Sequence, residues 1–206
     1  MNTTCAYHLK ANELNIEEAE VLRYLGMKKN QVSEEDKKPV RDIIAKALPF
    51  IDPKACYRRF PIQVYMDGRI EMPYGCIVSN DLTRNLSGCG EIFMIAATIG
   101  PKFDRELKRM HLTSMADAAV LQAVGATAVE SLVDELNAHL ADICQTEGLK
   151  LKPRYSAGYG DYTLENQKGI FKVLEPLKYT GITLMDTLIM APEKSVTAII
   201  GIYKDE

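Results

Sequence analysis

The residues best equipped for chemistry lie together, in the run Arg154, Tyr155, Ser156, Ala157, Gly158, Tyr159, Gly160, Asp161, Tyr162. It combines a guanidinium, three phenols, a carboxylate and two glycines. Arg154 can hold a carboxylate with two parallel hydrogen bonds. Tyr159 can stack on a planar ring and still donate a hydrogen bond. Gly158 and Gly160 permit backbone angles that let a ligand come close to the main chain. The run suits a small molecule carrying a carboxylate and an aromatic ring. It equally suits a Tyr/Gly-rich turn in which Arg154 makes an ion pair with the protein's own carboxylates.

Other chemistries find no support. No Gly-x-x-x-x-Gly-Lys-Ser/Thr is present, so no P-loop is expected. Gly88-Cys89-Gly90 and Gly158-Tyr159-Gly160 begin a dinucleotide pattern but lack its third glycine. His8, His111 and His139 are far apart, and no Cys-x-x-Cys occurs, so neither a zinc site nor a nucleophile–base pair is expected. No serine sits in a Gly-x-Ser-x-Gly elbow.

The 206 residues carry 25 basic and 28 acidic side chains, a net charge of -3, which argues against nucleic acid as a partner. Hydrophobic residues make up 47%, enough for a packed core and too many for a disordered chain. The five cysteines, Cys5, Cys56, Cys76, Cys89 and Cys144, are widely spaced and odd in number, which suits free thiols in a reducing cytoplasm. Met1 to Lys10 lacks the basic and apolar regions of a leader, and no uninterrupted apolar run spans a membrane.

The elements that must position the run can be read from periodicity. The first 50 residues read as helical, before any strand. One helix starts from Asn15 as N-cap, with Glu18 completing a capping box, and stops at Gly26. A second is capped by Ser33, opens with the solvated charges Glu34 to Lys38, buries Val40, Ile43, Ile44, Ala47 and Leu48, and ends at Pro49. Ile62, Val64 and Met66 alternate, Asp67-Gly68 turns the chain, and Arg69 to Met72 returns. Ile92 to Ile99 reads as a strand buried on both faces. Pro101 opens an amphipathic helix with Phe103, Leu107 and Met110. A long helix follows from Ser114 to Glu147, its first half lined by small residues and its second by Leu132, Leu136, Leu140 and Ile143. A break at Gly125 into two helices is the alternative. Pro153 to Tyr162 is a loop, and Ile170, Phe171 and Leu174 mark a helix stopped by Pro176. Thr183 to Met190 and Ser195 to Tyr203 read as two strands about Pro192. This order predicts an α+β fold with a mostly antiparallel sheet.

Arg154-x-x-x-Gly158-Tyr159 resembles the Arg-x-x-x-Gly-Tyr signature of the activation domain of cobalamin-dependent methionine synthase. Residues 179 to 200, from Tyr-Thr-Gly-Ile-Thr-Leu to Pro-Glu-Lys-Ser-Val, resemble that family's following block. Gly125 to Leu136 resembles its glutamate-bearing helix and puts the glutamate at Glu130. The likeness is best over residues 115 to 202; the first 110 match by order of elements only. The resemblance implies one C-shaped domain, residues 1 to 206, with a twisted antiparallel sheet. It implies binding of S-adenosylmethionine: Arg154 on the methionine carboxylate, Tyr159 and the backbone of Gly158, Gly160 and Asp161 bordering the ligand, and Glu130 near the ammonium or the sulfonium. Glu130 as a solvated helix residue stays open beside this.

In that family the domain supports reductive methylation of cob(II)alamin to methylcobalamin. The methyl group comes from S-adenosylmethionine and one electron from flavodoxin or another low-potential donor. No His here follows an Asp at the cobalt-ligand spacing, so cobalamin is expected on a partner, a corrinoid protein or the cobalamin module of a methionine synthase. Fused synthases follow Gly-Tyr with Pro-Ala-Cys-Pro-x-His and continue into a further strand. This chain reads Gly160-Asp161-Tyr162-Thr163-Leu164-Glu165 and ends at Glu206, so it is identified as a free-standing member. A docking module that caps a corrinoid protein without a methyl donor is the alternative, and an unrelated small-ligand binder sharing only the fold is the third reading.

Overall fold

The computed structural model describes residues 3–27 and 32–204. Met1 and Asn2, the head of the segment read for a leader, and the Asp36 side chain in the charged turn lie outside the described residues. The described elements run β1 (Cys5–His8), α1 (Glu18–Tyr24), α2 (Glu34–Ala47), β2 (Lys54–Pro61), β3 (Gln63–Val64), β4 (Arg69–Met72), β5 (Gly75–Val78), α3 (Asn80–Asn85), β6 (Glu91–Thr98), α4 (Pro101–Thr113), α5 (Met115–Thr146), β7 (Lys150–Leu151), α6 (Asn166–Leu174), α7 (Pro176–Thr180), β8 (Thr183–Leu184), β9 (Met190–Ala191) and β10 (Ser195–Tyr203). The α+β class and the antiparallel sheet expected from the sequence are present.

The main sheet has five strands in the order β1-β2-β6-β10-β7, all antiparallel. β6 lies at its centre, paired along its full length with β2 on one side and β10 on the other. Both faces of the sheet are covered, which is why Ile92 to Ala97 is an unbroken apolar run. One face packs Phe93, Ile95 and Ala97 against α1, α2, α4 and α5. The other packs Ile92, Met94 and Ala96 against the small β3-β4-β5 sheet and α6. In β10, Ala198, Ile200 and Ile202 face the first core and Ile199 the second, as alternation requires.

α5 is one uninterrupted helix of 32 residues, about 50 Å long. Gly125 does not break it. A side chain there would meet the ring of Phe103 on α4, so glycine is what lets α4 seat against α5. α5 is long and apolar enough to cross a membrane by composition, yet Leu132, Leu136 and Leu140 are wholly buried in the protein core. Ser114 caps its start by accepting from Asp117 N–H.

Several expectations are corrected. A strand, β1, precedes the two N-terminal helices; its four residues are too few to show a period. Asn15 is not an N-cap: α1 starts later, at Glu18, while the Asn15 N–H donates to Ser131 Oγ on α5 at 2.8 Å and its side-chain amide to Glu17 at 2.9 Å. Glu18 pairs with Arg41 instead of closing a capping box. Gly26 ends α1 with a positive φ of 75°, as read. Met66 is fully exposed at the Asp67-Gly68 turn, not inward-facing. Thr183 to Met190 is not a strand. It supplies the two-residue arms β8 and β9 (the latter reaching Ala191) around a turn with Leu188 at φ 65°, and β10 pairs with β6 and β7 instead. Pro176 stops α6 and opens α7.

Candidate functional site

After β7 the chain stays hydrogen-bonded to the edge of β10. Lys152 N–H donates to Gly201 O at 2.8 Å, and Tyr155 and Ile199 exchange both backbone bonds at 2.9 and 2.8 Å. Pro153 and Arg154 are therefore held between two fixed points. Gly201 admits this approach, since a side chain there would crowd Cys89 Sγ and Lys152.

From this position Arg154 reaches across to α5. Its Nη1 donates to Asp134 Oδ1 at 2.6 Å and its Nη2 to Glu130 Oε2 at 3.2 Å. Glu130 and Asp134 are four residues apart and so share one helix face. The structure brings together the two residues singled out on separate elements, Arg154 and Glu130, and adds a third, Asp134. Their side chains are 28%, 46% and 68% exposed, respectively. The signal for Asp134 was its spacing from Glu130.

Two cavities flank this cluster. One, of about 380 Å³, lies between α1 and α5 and includes Glu17, Glu20, Glu130, Asp134 and Glu135 in its walls, with Arg23 at Glu20. The other, of about 480 Å³, lies beside β7 and is lined by Asn137, Leu151, Lys152, Pro153 and Arg154. Acidic groups thus dominate one side of the cluster and two cations the other. A ligand whose positive and negative groups are separated by a few atoms matches that division.

The rest of the loop packs against α3 and the second core. Gly158 and Gly160 have φ of 98° and 53°, angles that disfavour side chains. Gly160 also lies tight against the Asp81 carboxylate and the Tyr155 hydroxyl. Asp161 is directed at α3: its carboxylate accepts from Ser79 Oγ at 2.5 Å, Asn80 N–H at 2.7 Å and Asp81 N–H at 3.2 Å. Its own N–H donates back to Asp81 at 3.3 Å. Tyr162 is wholly buried, its hydroxyl 2.8 Å from that of Tyr74. Burial pushes the Tyr74 phenol up to about 12 and Tyr162 higher still, so both are neutral hydrogen-bonding groups. Tyr159 is 67% exposed. Ser79 and Tyr74 escaped the sequence reading because their partners lie about eighty residues further along the chain.

The Ser79 hydroxyl, followed by the Asn80 and Asp81 amides, holds the Asp161 carboxyl below the usual aspartate range. A carboxylate with a lowered native pKa stabilises above its unfolded value and loses that contribution as pH falls through the lowered one. The Asn80 and Asp81 amides are therefore expected to stay protected from hydrogen exchange at neutral pH. They should become labile in acid, below the usual aspartate range, before the sheet amides do. In Asp161→Asn this acid step should be absent, with weaker protection at every pH.

Among the described residues no three or more His, Cys, Asp or Glu side chains are placed to hold a metal ion. No family model matches the chain, and no curated protein matches it. It is similar to a solved structure, the MetH reactivation domain bound to AdoHcy, with a TM-score of 0.74 over 98% of this chain and 79% of that one, at 15% identity. That likeness is one of fold.

Proposed function

We propose that the protein is a free-standing S-adenosylmethionine-binding reactivation subunit, residues 1 to 206 forming one domain, that serves a cobalamin-dependent methionine synthase or a related corrinoid methyltransferase in the cytoplasm. The observation that carries this reading is the Arg154–Glu130–Asp134 cluster between an acidic and a basic cavity, on a fold like that of the MetH reactivation domain. S-adenosylmethionine has a carboxylate for Arg154 and two cations, ammonium and sulfonium, for the Glu130 side. Tyr159, exposed at the loop tip, is free to meet an adenine or a partner surface. Gly158, Gly160 and Asp161 border the ligand through backbone only, since the Asp161 side chain is spent on α3.

When bound, S-adenosylmethionine supplies an activated methyl group. The part of this chain is to hold and orient it, and positioning of this kind needs no acid, base or metal from the protein. Cobalamin is carried by the partner, and flavodoxin or another low-potential donor supplies the electron for reductive methylation.

A second reading has an observation in its favour. Both terminal nitrogens of Arg154 already have carboxylate partners. That suits a docking module that caps a corrinoid protein without a methyl donor. Calorimetry separates the two. The reactivation reading expects heat on titrating S-adenosylmethionine into the pure protein, with tighter binding once a cobalamin-loaded corrinoid module is added. Binding of the module with no S-adenosylmethionine heat in either titration gives the docking reading instead.

A further inference from the structure

We propose that Asp134 occupies the position on Arg154 that a ligand carboxylate takes, so that binding exchanges one carboxylate for another while Glu130 stays in place. This deepens the S-adenosylmethionine reading and rests on it.

The asymmetry of the cluster carries the inference. Arg154 offers Nη1 and Nη2, and each is taken by a different α5 carboxylate. An end-on bidentate grip on an incoming carboxylate uses Nη1 and Nη2 together, and so needs at least one of them released. Asp134 is the partner able to leave. It is the more exposed of the two acids, 68% against 46% for Glu130. It has no other hydrogen bond or ion pair among the described residues, and an exposed pair contributes little net stability. Its replacement by water requires only a side-chain rotation on an unchanged helix. Arg154 itself does not have to move, because the flanking residues are pinned to β10. The incoming group has a route: the cavity beside β7 reaches Arg154 from the side of Lys152, whose ammonium lies over the Tyr203 ring at 4.4 Å. That cavity has no acidic residue in its walls. A carboxylate is therefore attracted there, whereas Asp134 lines the opposite, acidic cavity.

Asp134 is then a gate on affinity and specificity. It keeps Arg154 compensated and imposes a small penalty that only a carboxylate-bearing ligand can overcome. The penalty is removed by Asp134→Asn, an isosteric change at an exposed helix position that leaves folding intact.

The test measures binding of three probes to the wild-type protein and to Asp134→Asn: S-adenosylmethionine, S-adenosylhomocysteine and 5′-methylthioadenosine, which lacks the amino-acid carboxylate. Relief of an exposed ion pair is expected to tighten the first two by about two- to fivefold and to leave the third unchanged. An equal change for all three probes, or no change for any, overturns the exchange. Weaker binding of the first two shows Asp134 touching the ligand ammonium and also overturns it. Absence of S-adenosylmethionine binding by the wild-type protein removes the functional reading itself and the exchange with it, an outcome distinct from the others.

Discussion

Replacing Arg154 by alanine is expected to weaken S-adenosylmethionine binding by about 10- to 150-fold while leaving the fold intact. A hydrogen bond to a charged group contributes ~1.5–3 kcal/mol, which sets that range. The ion pairs lost within the protein weigh much less. Glu130 and Asp134 are solvent-accessible, and exposed pairs contribute about 0–1 kcal/mol. With two such pairs lost, the melting temperature should therefore shift by no more than about 8 °C. Arg154→Lys should restore only part of the affinity, because a point charge cannot reproduce a planar fork. Calorimetry and thermal melting on the same variants give the answer. Unchanged affinity with lowered stability would mean that Arg154 only ties the β7 loop to α5, and the ligand reading would fall at its most specific residue.

The largest stability effect is expected at Phe93. It is wholly buried at the centre of β6, between Arg59 of β2 and Ile200 of β10, with its ring edge-to-face with Tyr57 at 6.0 Å. Alanine there removes apolar contacts and leaves a cavity that a fully paired central strand cannot close. Such changes cost about 3–5 kcal/mol. For a chain of this length that lowers the melting temperature by roughly 6–20 °C. Leu112, exposed on α4, is the control, and its alanine variant should stay within about 0.5 kcal/mol of wild type. Denaturant unfolding of the three proteins measures both values. A small loss at Phe93 would contradict the central place of β6 between two cores.

Strand β2 shows why part of the fold was hidden. It reads Lys-Ala-Cys-Tyr-Arg-Arg-Phe-Pro, with two adjacent arginines in a central strand. Arg59 is satisfied there by Glu91 at 2.5 Å and Glu147 at 2.7 Å, and Arg58 lies over the Phe60 ring at 4.7 Å. Those partners are remote in sequence, apart from Phe60, so the strand has no local apolar signature. β1 and β7 are too short for any period to show, and both are strands only because β2 and β10 present edges to them. Asn15 has the chemistry of an N-cap, yet its side-chain amide donates to Glu17 and α1 begins only at Glu18.

By itself, the sequence determined what depends on spacing along one element. β6 is apolar without a break from Ile92 to Ala97, α4 opens at a proline and carries one apolar stripe, and α5 keeps its leucines on one face; these patterns specify strand and helix before any partner is known. The reactive residues were legible in the same way, as a run joining a guanidinium to phenols and flexible glycines. Only the tertiary structure decided what each of them faces. Arg154 and Glu130 are 24 residues apart, and pairing of the β7 segment with β10 brings them together at 3.2 Å. Asp161 lies in the same run, but it is drawn to Ser79 and the open N–H groups of α3, 80 to 82 residues away. A side chain's type sets what it can bind. Which of several competing partners it does bind is a matter of distance and burial, and those exist only once the strands have paired and the two cores have closed.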